Sequence, residues 1–180
     1  MKYLAPCLAL ILLGAPAMAQ SVGEKTGINS TLGIAPKTED FVKQVAISDM
    51  FEIQSSKIAQ ERGNADQKTF AGIMIKDHQG SSADLMALAG EWKTSLPTAL
   101  DSTHQTKLDK LKSVNGADFS SRYNLEQVSG HKDAVSLFER YANGGDDPKL
   151  KEWADKMLPT LRHHLEMAQE MAAGKTVGKH

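Results

Sequence analysis

The chain has 180 residues, with 21 basic and 22 acidic side chains and a single cysteine. That length suffices for one ordinary domain with its own core. The near-neutral balance, with no basic block, argues against nucleic acid or an anionic membrane surface as a partner. One cysteine excludes an intrachain disulfide framework or a cysteine metal cluster.

The chain begins MKYLAPCLALILLGAPAMAQ. Lys2 supplies a short positive region, Leu4 to Leu13 an apolar stretch, and Ala17-Met18-Ala19 a small-x-small cleavage pattern. These features predict a secretory signal peptide over residues 1–19, cut near Ala19/Gln20, and a periplasmic or secreted mature protein. An uncleaved anchor is the alternative, but the run is barely long enough to span and ends in the cleavage pattern. Cys7 lies inside this segment, so the mature protein has no thiol. Without Lys2, 20 basic residues face 22 acidic ones, a net charge of −2. No later run reaches transmembrane length.

Residues 20–37, QSVGEKTGINSTLGIAPK, have no sustained period and read as a flexible leader. Four long helical patterns follow. Thr38 is placed to cap the first, which carries Glu39 and Asp40 in its opening turn and stops at Gly63. Asn64 and Gln67 form a capping-box pattern for the second, which runs to about Trp92. A connector of about 25 residues, with a short helical piece near His104–Ser113, leads to the third at about Asp118. After Asn143-Gly144-Gly145, Asp147-Pro148 opens the fourth, which contains Pro159 and ends near Ala173. No segment alternates at period two. The prediction is an all-α four-helix bundle over residues 38–173 with a flexible tail at 174–180. The connector is long enough to be the single crossover of ferritin-like bundles, with a simple up-down bundle as the alternative.

Stepping along each helix by three and four residues gives four apolar seams. Each holds one ionisable residue: Glu52, His78, His131 and His164. A rise of about 1.5 Å per residue brings them near a common depth. Three neutral imidazoles and a carboxylate suit one transition-metal ion, such as zinc, copper, iron or nickel, in a protein without thiolates. Asp77, Asp133 and Glu139 are placed to hold the ligands' outer nitrogens. The competing reading is a buried polar layer that only specifies packing.

The Glu-x-x-His signature of di-iron bundles is missing: Ile75, Val128 and Leu161 stand three residues before the seam histidines. That argues against a carboxylate-bridged di-iron oxidase. No nucleophile elbow and no strand-borne phosphate loop occurs, so an enzyme is the least supported class. The methionines, including Met74 and Met157, suggest copper only weakly, because core packing explains most of them.

The segments FVKQVAISDMFEIQSSKIA, MIKDHQGSSADL, HQTKLDKLKSVNGADFSSRY, EQVSGHKDAVSLFE and DPKLKEWADKMLPTLRHHLEMAQ together resemble the bacterial exported family called domain of unknown function 4142. The resemblance spans about residues 38–173. It implies a ferritin-like helical bundle in an exported protein, often labelled an outer-membrane protein, with no established biochemical role. The family pattern includes the positions of Glu52, His78, His131 and His164. Where many relatives carry Leu-Gly after the EIQ segment, this chain has Ser55-Ser56, making its first seam more polar. The functional expectation is metal handling in the envelope or in oxidative stress; the alternative is a non-catalytic structural or interaction module.

Overall fold

The computed structural model describes residues 21–92 and 95–177. The expected signal peptide and the last three residues of the tail lie outside them. Among the described residues there are seven helices and no strand. Four are long: α3 (Thr38–Arg62), α4 (Ala65–Trp92), α6 (Gly116–Gly144) and α7 (Pro148–Ala172). A shorter α5 (Ser102–Ser113) lies in the connector, and two single-turn helices, α1 (Val22–Lys25) and α2 (Ile28–Thr31), precede the bundle.

The sharp turn from α3 to α4 needs Gly63, because a Cβ there would lie 2.6 Å from the Ala59 carbonyl oxygen. Just beyond it the capping box forms as expected: Gln67 N–H donates to Asn64 Oδ1 at 2.9 Å, and Asn64 N–H to Gln67 Oε1 at 3.0 Å. Asp147 caps α7 through Leu150 N–H at 2.9 Å, with Pro148 in the first turn. Pro159 is accommodated within a continuous α7. Thr38 does not cap α3. Lys37 occupies the N-cap position, and the Thr38 hydroxyl is engaged instead by Tyr141 and Asp146 at the far end of α6.

Helix directions follow from contacts at the ends. Arg62, closing α3, donates to Lys112 O at 2.8 Å and to Val114 O, next to the start of α6. Gln67, opening α4, donates to Ser120 O and Asn124 Oδ1 near the start of α6. Asn124 in turn reaches Met171 O at the end of α7. Thus α3 and α6 are antiparallel, while α4 and α6 run parallel. The chain must cross the length of the bundle between α4 and α6, and α5, packed on α3 and α6, forms part of that crossover.

Two apolar clusters fill the bundle. One is built on Phe41, Leu85, Phe138, Tyr141, Leu150, Trp153 and Leu161. The other is built on Phe51, Phe70, Met74, Leu108, Leu111, Phe119, Tyr123 and Met171. Phe41 stacks on Tyr141 at 4.0 Å and meets Phe138 edge-on at 5.1 Å, so truncating it would cost about 3–5 kcal/mol. Between the clusters lies a band of buried polar residues: Asp49, Glu52, Ser55, His78, Ser81, Gln127, His131 and His164. The band divides one core into two.

The segment before the bundle, expected to be a flexible leader, is docked. Arg140 on α6 pairs with Glu24 at 3.0 Å and donates to Ile34 O at 2.7 Å, and Gln44 donates to Glu24. At the other end, Val177 in the expected flexible tail is buried against the second cluster and donates to Asp66. No helix of the described residues is long and apolar enough to cross a membrane.

Candidate metal centre

Helices α4, α6 and α7 each place one histidine in the polar band. His78, His131 and His164 are all buried, and one ring nitrogen of each lies within 4.8 Å of those of the other two. Their ring centroids are 5.4–5.9 Å apart.

Each imidazole is held from behind by an oxygen. His78 Nδ1 lies 2.8 Å from Asp49 Oδ1, and Asp49 Oδ2 accepts from Ser82 Oγ at 3.1 Å. His131 Nδ1 lies 2.9 Å from the Gln127 carbonyl oxygen, one turn back on α6. His164 Nε2 lies 3.0 Å from Asp77 Oδ2. These acceptors fix the tautomers: the bonded nitrogen carries the proton and the other keeps its lone pair. The other nitrogens, His78 Nε2, His131 Nε2 and His164 Nδ1, are buried without a protein partner. A void of about 20 Å³ beside His78 and His164 is lined also by Asp49, Ser81 and Met157.

Electrostatics favour two neutral rings. Burial, reinforced by repulsion from His78 and His164, holds His131 down at about 3. Burial and the influence of His78 lower His164 to about 4 against the pull of Asp77. His78 also loses solvation, but the hydrogen bond and charge of Asp49, with Glu52 and Asp77, outweigh that and raise it above its ordinary value. The set offers two imidazoles that burial holds neutral and a third, His78, that Asp49 draws toward its protonated form.

Glu52 lies in the same band, only 2% exposed, but outside the group formed by the three ring nitrogens. Burial raises its carboxyl to about 7, against opposing interactions with His78 and Gln127. One carboxylate oxygen lies 3.3 Å from where a Cβ of Gly130 would be, and Oε2 has no protein partner. Of the three outer partners expected from sequence, Asp77 sits behind an imidazole, although that of His164 rather than of its neighbour His78. Asp133 is exposed on α6, at an outer cleft. Glu139 pairs with Arg162 of α7 at 2.9 Å on the surface. Neither of these two holds a histidine of the group.

The seam pattern in the sequence points to neither Asp49 nor Gln127. Stepping by three and four from Val45 lands on Ser48, whereas a straight helix of 3.6 residues per turn buries Asp49. Asp49 three residues before Glu52 was the available signal, since both then face the same side of α3. Gln127 acts through its backbone carbonyl, which side-chain identity does not reveal.

The family pattern named Domain of unknown function (DUF4142) matches residues 23–171. The chain belongs to the DUF4142 family. The match begins well before α3, in keeping with the docking of Glu24 onto the bundle. No curated protein sequence matches this DUF4142 chain. Among solved structures, CopM in the Cu(II)-bound form is similar, with a TM-score of 0.66 and 14% identity, over 78% of this chain and 99% of CopM. At that identity the likeness concerns the fold.

Proposed function

We propose that this protein binds a single transition-metal ion through His78, His131 and His164 and serves in metal handling outside the cytoplasm. The observation that carries the reading is the division of labour on each ring. One nitrogen is tied to an oxygen acceptor, and the other is buried without a protein partner. Carboxylate or carbonyl behind imidazole is the arrangement that orients histidine toward a metal and raises its basicity. In a layer that only specified packing, the inner nitrogens would find hydrogen-bond partners, because each buried unsatisfied group costs about 1–3 kcal/mol.

Nitrogen donors without thiolates favour zinc, copper(II) or iron over calcium and magnesium. The fold similarity to Cu(II)-bound CopM makes copper the first ion to test. Three histidines would leave a coordination position for water or another small ligand. The export signal read at the chain start supports an envelope location, where such an ion would be met.

The test is metal analysis of untagged protein purified from the periplasm without chelators. About one equivalent of a transition metal, lost in His131→Ala and His164→Ala, supports the reading. Protein that stays metal-free in the presence of copper, zinc and iron refutes it.

A further inference from the structure

Glu52 faces two ways. Inward, it lies in the polar band and interacts electrostatically with His78. Outward, it lines a cleft of about 600 Å³ formed by the segment around α1 and α2 together with α3, α5 and α6. Its carboxylate approaches the α6 backbone at Gly130, the residue before His131, where a Cβ would stand 3.3 Å from Oε1. One turn back on α3, Asp49 holds His78. The carboxylate is thus placed next to the supports of two of the three histidines, with Oε2 buried and unpartnered.

Five carboxylates, Glu24, Glu52, Asp101, Glu126 and Asp133, line the cleft against Lys43, Lys107 and Arg140, and two of the five are ion-paired within it, Glu24 with Arg140 and Glu126 with Lys107. The excess of carboxylates over cations in the lining leaves a modest negative potential that draws cations in. The void beside His78 and His164, about 20 Å³, borders the cleft at Ser48 and Ala134, has room for roughly one water molecule and is too small for a hydrated ion.

Building on the three-histidine reading, we propose that cations reach the site through the α3–α5–α6 cleft and that Glu52 is the transfer ligand. It takes a divalent cation from the cleft and hands it to the imidazoles without remaining in the final coordination shell. A carboxylate suits the task because its oxygens ligate hard and borderline cations alike.

The test mixes apo protein rapidly with aqueous Cu(II), follows uptake by ligand-field absorbance, and measures bound copper after dialysis. Glu52→Gln keeps size and polarity while removing charge; Gly130→Ala leaves the carboxylate but crowds its approach. Both variants should reach the wild-type copper content yet load about tenfold or more slowly. Wild-type loading rates in both would overturn the route. Loss of copper in Glu52→Gln at equilibrium would overturn it differently, making Glu52 a resident ligand. If Glu52→Gln does not fold, Gly130→Ala decides alone. Wild-type protein that takes up no copper, zinc or iron defeats the histidine site itself, and the transfer role falls with it.

Discussion

Asp49 and His78 face each other across the α3–α4 interface, 2.8 Å apart and almost wholly shielded from solvent. The carboxylate is itself held by Ser82. This pair sets the direction of the His78 ring, so its unpartnered Nε2 belongs to the side away from Asp49.

Asp49→Asn removes the charge behind His78 but keeps the shape. The expected result is a metal affinity lower by about 10–100-fold with stoichiometry unchanged at saturation. Competitive titration against a chelator of known affinity measures it. An unchanged affinity would show that Asp49 serves packing alone.

His131→Leu separates metal binding from architecture. The native imidazole is 1% exposed, with one nitrogen lacking a protein partner, so an apolar residue of similar volume relieves a buried polar group. The apo variant should melt at or above the wild-type temperature while losing the ion. A destabilisation of about 3 kcal/mol or more in the apo state would instead favour a layer built for packing.

The histidines also impose a pH dependence on the apo protein. His131 binds its proton at about 3 when folded against an ordinary value of 6.5, so below 6.5 the unfolded chain takes up more protons. Its contribution is therefore complete above 6.5 and is lost as pH falls toward 3. His164 behaves alike, down to about 4. Glu52, raised from 4.5 to about 7, acts oppositely: its contribution is present below 4.5 and is lost as pH rises through 7. His78, also raised, has the same sign as Glu52, its share being complete below 6.5 and lost at higher pH. The difference between proteins isolates one group. Denaturant titrations should show wild type losing about 1 kcal/mol more than His131→Leu for each pH unit below 6.5. Parallel pH profiles would contradict the buried neutral imidazole.

Arg140→Ala tests the docking of the segment before α3. The Arg140 and Glu24 side chains are only 9% and 3% exposed, and removing one partner of such a pair costs about 3–5 kcal/mol if the other stays buried. The segment can escape that penalty by detaching. Hydrogen exchange should then accelerate over residues 21–34 while α4 and α7 stay protected. Unchanged protection would mean that other contacts hold the segment.

Much of this architecture is legible in the sequence, and the gaps have physical causes. The long helices declare themselves through caps and apolar periodicity. His78, His131 and His164 stand out because an ionisable residue interrupts an otherwise apolar stripe. Asp49 stays outside the seam pattern because a 3.5-residue step falls behind a straight helix within a few turns. Glu139 and Asp133 sit near His131 in sequence but on other faces of α6, where Arg162 and the outer cleft claim them. The helices α1 and α2 are single turns that local propensity cannot sustain. Glu24 reaches a partner 116 residues away, which no local pattern announces.

X-ray absorption at the metal edge of the loaded protein reads the ligands of the ion directly. A histidine-held ion predicts three imidazoles at about 2.0 Å, recognised by their outer-shell scattering, and a reduced imidazole count in His164→Ala. A first shell of oxygens, or an imidazole count unaffected by that substitution, would contradict a metal centre built from His78, His131 and His164.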